Sequence, residues 1–190
     1  AGEVSNYTIK YEYDAGGKIA KVTSESQGTS YIQTFTNGLL TKLLVRSVNG
    51  VETQPATINS QGLITKYVRG STSYDTYEYD TQQRVVREEY WFNNKLYSYR
   101  LNEYDDKRAA FESVTPLFKG HPVLVTNGKY PNNAIRYTNY GLDSGGLIKK
   151  QSDLVYTYTY NAKGHPLEYT YSDAVSGSTG KVTFTLTDCD

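Results

Sequence analysis

Apolar and polar residues alternate along much of this chain. Tyr156, Tyr158 and Tyr160 are interleaved with Thr157 and Thr159, and Val182, Phe184 and Leu186 with Thr183, Thr185 and Thr187. A period of two places each set on one face of a strand. An apolar face backed by a polar one is the pattern of an antiparallel sheet covered on one side. No helical period is sustained for long. The alternation is interrupted by Asp or Asn, usually with Gly two or three positions later. The Asx side chain starts a turn by accepting from nearby backbone N–H groups, and Gly supplies the positive φ.

These interruptions repeat. Tyr11-Glu12-Tyr13-Asp14-Ala15-Gly16-Gly17-Lys18-Ile19 is echoed by Tyr77-Glu78-Tyr79-Asp80-Thr81-Gln82-Gln83-Arg84-Val85 and by Tyr158-Thr159-Tyr160-Asn161-Ala162-Lys163-Gly164-His165-Pro166-Leu167. Weaker copies surround Asn37, Asn59 and Asp105. The anchors Asp14, Asn37, Asn59, Asp80 and Asp105 lie 23, 22, 21 and 25 residues apart, about one β-hairpin per unit. Asn49-Gly50, Asn93-Asn94 and Ser176-Gly177-Ser178 read as further hairpin turns.

The expected architecture is all-β. It is an antiparallel meander of about a dozen strands, strongly twisted and curled into an open or barrel-like sheet, forming a single domain over 1–190. Two segments break the rhythm. Residues 106–133 read as an irregular connection that opens with a short helical turn near 106–113, because Lys107-Arg108-Ala109-Ala110-Phe111-Glu112 is the best helix composition in the chain. Asp143-Ser144-Gly145-Gly146 reads as a flexible loop.

Composition changes the picture in one respect. The chain has 20 Tyr, 5 Phe, 1 Trp and no Met among 190 residues. Leu, Val, Ile and Phe are few, so Tyr must supply core area while its hydroxyl stays wet or hydrogen-bonded. The formal net charge is zero, which argues against a nucleic-acid partner. No stretch approaches the ~20 apolar residues of a membrane-spanning helix. The single Cys189 excludes an intrachain disulfide, and with two His it leaves too few ligands for a typical structural zinc site. No cofactor motif is present. The chain starts Ala1-Gly2-Glu3 without Met, which reads as a mature processed chain or a trimmed one.

Candidate chemistry is sparse. Glu12/Asp14, Glu78/Asp80 and Glu103/Asp105 are carboxylate pairs on one strand face, suited to acid–base work or calcium. Each Asp also occupies the turn-starting place of the repeat, and the turn role is the stronger reading. His121 and His165 precede Pro in loops. Asn6-Tyr7-Thr8 matches a glycosylation sequon that chance also produces. No catalytic motif is recognisable. The sharpest feature is the hairpin Glu89–Tyr99, whose aromatics Tyr90, Trp91, Phe92, Tyr97 and Tyr99 flank one turn. They are candidate ligand-binding residues, set against the alternative that they are cross-strand packing pairs.

The Tyr-x-Tyr-Asp-x-x-Gly-x-apolar unit resembles YD-repeat proteins. Over most of its length the chain more closely resembles secreted Bacteroides-type proteins of unknown function with a porin-like β fold. Tyr104-Asp105-Asp106-Lys107 with Phe111, and Tyr158 to Leu167, carry this resemblance. It implies a lipoprotein-like precursor exported past the inner membrane, and so a periplasmic or cell-surface, lipid-anchored outer-membrane protein of a Gram-negative bacterium. It brings no catalytic residues. Thr, Lys and Glu on the strand faces argue for a body outside the bilayer rather than a spanning barrel.

Three functions follow as expectations. The first is an exported, non-enzymatic cell-envelope protein with a binding or scaffold role, its partner a glycan or an envelope protein. The second is a carbohydrate-binding module stacking sugars on the patch around Trp91. The third is a glycoside hydrolase-type enzyme, which needs two carboxylates ~5–10 Å apart in a pocket.

Overall fold

The computed structural model describes residues 7–108 and 132–184. These form fourteen strands and, among the described residues, no helix. The strands are β1 (Tyr7–Tyr13), β2 (Ile19–Ser26), β3 (Thr29–Thr36), β4 (Leu39–Arg46), β5 (Glu52–Thr53), β6 (Ala56–Ile58) and β7 (Ile64–Val68). They continue as β8 (Ser73–Tyr79), β9 (Val85–Phe92), β10 (Lys95–Arg108), β11 (Asn132–Leu142), β12 (Ile148–Tyr160), β13 (Pro166–Asp173) and β14 (Thr179–Thr183).

Every neighbour in sequence is a neighbour in its sheet, as a meander requires. One sheet runs β1-β2-β3-β4-β5 and the other β14-β13-β12-β11-β10-β9-β8-β7-β6. Both orders are open, so neither sheet closes into a barrel. All registers are antiparallel. Residues 106–108 extend β10 as strand, where the composition favoured a helical turn. Strand pairing overrides a weak local propensity here; residues 109–113 lie outside the described residues, as does most of the expected irregular connection.

The chain divides into two compact units among the described residues, 7–74 and 75–108 with 132–184. In the first, Val22, Leu40, Leu43, Ala56, Leu63 and Ile64 are buried. Gln33 lies directly across from Val22 on β2 and from Leu43 on β4. It is 2% exposed, and its amide finds no hydrogen-bond partner among the described residues. Such a group lowers stability by about 1–3 kcal/mol. In the second unit, Tyr77 and Val85 are buried alongside Asp75, Asn102, Asn133, Thr138, Asp153 and Asp173. That interior is built as much from hydrogen bonds as from hydrocarbon.

Two turn designs recur among the connections between strands. Five turns share one structure, beginning at Asp14, Asn59, Asp80, Asp143 and Asn161. In each, the first N–H donates to the carbonyl four residues on, and the fourth N–H donates back. The first side chain's Oδ1 accepts from the N–H groups two and four residues on, at 2.9–3.0 Å. The fourth residue takes φ between +65° and +80°: Gly17, Gly62, Gln83, Gly146 and Gly164. The second design is the two-residue hairpin with both φ positive, at Gln27-Gly28, Asn37-Gly38 and Asn93-Asn94, whose twist matches that of the flanking strands.

This sorting revises three sequence expectations. Asn37 is a central residue of a two-residue turn, not an Asx anchor. Asp105 lies within β10 and begins no hairpin. Asp143, expected in a flexible loop, begins a turn identical to the others.

Candidate functional site

In the second unit, cross-strand partners share a face, so the registers sort every side chain onto one side of the sheet or the other. Arg87, Glu89 and Trp91 of β9 share a face with Tyr99, Leu101 and Glu103 of β10, and with Arg136, Thr138 and Tyr140 of β11. Glu88 and Tyr90 lie on the opposite face, with Arg100 of β10 and Tyr137 of β11.

The hairpin's five candidate aromatics are therefore divided. On the first face, Trp91 donates its indole N–H to Glu89 at 3.0 Å, and Glu89 also accepts from Thr76 at 3.0 Å and Arg87 at 2.7 Å. Burial pushes the Glu89 carboxyl up, but these three donors outweigh it and hold the group below its ordinary value. Tyr99 stacks on Tyr140 with centroids 4.4 Å apart and planes 12° from parallel. The Arg87 guanidinium covers Tyr99 at 4.4 Å, and Lys150 lies 6.0 Å from Tyr140. Tyr99 is thus flanked by a ring and a cation, the arrangement of a packed column.

The column ends in an ion cluster. Asp153 accepts from Arg136 at 2.7 and 2.8 Å and from Lys150 at 2.8 Å. Hydrogen bonds from these two cations hold its carboxyl far below the usual range, and the Asp153 carboxylate in turn pushes the Arg136 guanidinium up. The sequence did not single out Arg87, Glu89, Tyr140 or Asp153. Their contacts are made across four successive strand pairs, β8 with β9, β9 with β10, β10 with β11 and β11 with β12, and no local pattern reports them.

On the opposite face, Tyr90 meets Tyr97 edge-on at 5.6 Å. Tyr97 sits where the register slips between Leu96 and Ser98. This bulge leaves it 47% exposed, and Phe92 at the turn is 44% exposed. Further along the same sheet lies a ring array that the sequence showed only as alternation. Tyr137 meets Tyr156 at 5.5 Å and 82°, Tyr156 meets Tyr169 at 5.6 Å and 70°, and Tyr158 meets Tyr169 at 5.3 Å and 50°. Phe184 lies 5.8 Å from Tyr169. Rings set at such angles pack into one another. Burial, then the neighbouring tyrosines, raises the Tyr158 phenol well above its usual range. Burial, then its hydrogen bond to Asp105, does the same for Tyr160.

The carboxylate pairs are engaged. Glu12 bonds Lys21 at 2.7 Å while Asp14 holds its own turn, and Asp80 holds its turn and Arg84 at 2.7 Å. A pocket of about 480 Å³ is lined by Glu103, Asp105, Asp106, Arg136 and, from β12, Tyr156, Tyr158 and Tyr160. In it Glu103 faces Arg136 at 3.6 Å, and Asp106 faces Lys107 at 3.1 Å. Asp105 accepts from Lys107, Asn133 and Tyr160. The hydrogen bond and charge of Lys107 lower the Asp106 carboxyl, opposite to the shift a general acid needs. His165 lies in a turn, its N–H donating to Asn161. His121, Cys189 and Asn6 lie outside the described residues.

Among the described residues, no helix is long and apolar enough to cross a membrane, and no group of three His, Cys, Asp or Glu is placed to hold a metal. No family model matches the chain, and no curated protein matches it. By structure it is similar to a porin-like protein from Bacteroides vulgatus ATCC 8482, with TM-score 0.48 and 12% identity over 95% of this chain and 92% of that one. It is also similar to a porin-like protein from Bacteroides uniformis ATCC 8492, with TM-score 0.50 and 14% identity over 93% of this chain and 74% of that one. The likeness at that identity is one of fold alone.

Proposed function

We propose that this chain is an exported envelope protein of a Gram-negative bacterium, with a non-enzymatic binding or scaffold role. The observation that carries the compartment is the fold shared with the porin-like protein from Bacteroides uniformis. The scaffold role is supported by how the charged groups are used. Asp14, Asp80 and Asp143 hold turns, and Asp153 is enclosed by Arg136 and Lys150. Side chains committed in this way maintain a surface rather than turn over a substrate.

Fractionation of the native host tests the compartment. The protein is expected to sediment with the outer membrane or appear in the periplasm, and recovery in the cytosol would overturn the reading. A lipid anchor is the finer expectation. Metabolic labelling with a fatty-acid analogue should tag the protein, and an unlabelled but envelope-located protein would remove the anchor alone.

A further inference from the structure

The β9–β10 hairpin differs from the other two-residue hairpins of the described chain. Gln27-Gly28 is flanked by Ser26 and Thr29, and Asn37-Gly38 by Thr36 and Leu39 with Phe35 and Leu40 as the next pair; of these apolar side chains only Leu39 is exposed. Asn93-Asn94 is flanked by Phe92 and Lys95, with Trp91 and Leu96 as the next pair. Both asparagine tips therefore carry apolar side chains on two faces, but only this one exposes aromatic rings. The bulge at Tyr97 re-aims a further ring outward, as bulges do. Phe92 is 44% and Tyr97 47% exposed.

We propose that this tip docks on a lipid surface, with Phe92, Leu96 and Tyr97 entering the interfacial zone of an anionic bilayer. Two observations select that occupant. Phenylalanine and tyrosine on a short, wet-ended element suit the boundary between headgroups and acyl chains. The charge also matches: residues 90–98 contain Lys95 and no Asp or Glu, so the tip presents a cation to anionic headgroups. The nearest acid, Glu89, is bonded to Arg87 on the first face.

Trp91 is the chain's only Trp, so its emission reports on this tip alone. The purified chain is titrated with vesicles of phosphatidylglycerol and phosphatidylethanolamine, and separately with phosphatidylcholine. A blue shift is expected with the anionic vesicles, with quenching when the acyl chains carry bromine. The double variant Phe92→Ser/Tyr97→Ser should bind at least about tenfold more weakly, and Lys95→Gln about fivefold more weakly on anionic vesicles only. Thermal unfolding checks that both variants remain folded; should the double variant not fold, Lys95→Gln decides. Unchanged emission at saturating anionic lipid overturns the proposal, as does vesicle binding indifferent to these substitutions. Glycan-array binding that the double variant loses, with no vesicle binding, also overturns it and assigns the tip to sugar. If fractionation places the protein outside the envelope while vesicles still shift Trp91, the compartment reading fails and the docking stands.

Discussion

The Tyr-rich face of β11–β14 and the aromatic tip of β9–β10 use the same kind of side chain for opposite ends. In the array, Tyr156 meets Tyr137 and Tyr169 edge-on, Tyr158 and Phe184 lie tilted against Tyr169, and burial raises the phenols of Tyr156 and Tyr158. At the tip, Phe92 and Tyr97 keep nearly half their surface in water. The distinction is not one of composition. A strand in the middle of a sheet offers a ring neighbours on both sides, and a hairpin end does not. Whether a tyrosine becomes core or contact surface is decided by its row in the sheet.

Removing a ring from each region should separate them most sharply. Tyr158→Ala deletes a packed ring and its hydrogen bond to the Ala134 carbonyl; the expected loss is about 2–3 kcal/mol, read by urea unfolding. A stability unchanged by this substitution would show that the array is not core. Gly180→Ala tests the array from its edge. A methyl there would overlap the Tyr171 ring, so the ring must shift, at about 1–2 kcal/mol.

Alkali offers a test without mutation. The folded phenols of Tyr158 and Tyr160 are held above their ordinary value, so the unfolded chain releases these protons first. Their stabilising contribution is complete below pH ~10 and is lost as pH rises beyond it. Absorbance at 295 nm should show part of the tyrosine population ionising only with unfolding. Ionisation complete before any unfolding would place these rings in water.

The tip should respond weakly. Phe92→Ser is expected to change stability by less than about 0.5 kcal/mol, since an exposed side chain has little folded-state packing to lose. Asn94→Gly should raise stability by a few tenths of a kcal/mol, roughly, because Asn-Gly suits a turn with both φ positive. It would leave vesicle binding intact, and a parallel loss of docking would mean that the Asn94 side chain itself is part of the contact.

The sequence disclosed the strands and most turns because both depend on local chemistry. Alternation at Tyr156–Tyr160 and the Asx-to-Gly spacing at Asp14 and Asn161 are readable without knowing what pairs with what. It misled where one residue type serves two geometries. Asn37 followed by Gly38 looked like a repeat anchor and is a tighter turn; Asp105 looked like another and instead links β10 to Asn133 of β11. The candidate site was legible as a cluster of rings but not as two faces. Tyr99 directly opposes Tyr140, and the intervening chain carries no signal of that pairing. Nor could sequence show that Tyr97 sits at a bulge, since a register slip belongs to two strands at once.

The five Asx turns have a consequence beyond holding their own strands. Each satisfies its backbone hydrogen bonds internally, and among the described residues only the Asp80 turn, through Arg84, also bonds strands beyond its own hairpin. A hairpin closed by such a turn is an interchangeable part. Deleting or adding two strands together with their turns would preserve the direction of every remaining strand and the side to which each residue points. An open meander built on these units can vary in width without renegotiating its pattern, as a fence gains or loses panels while its posts stay the same.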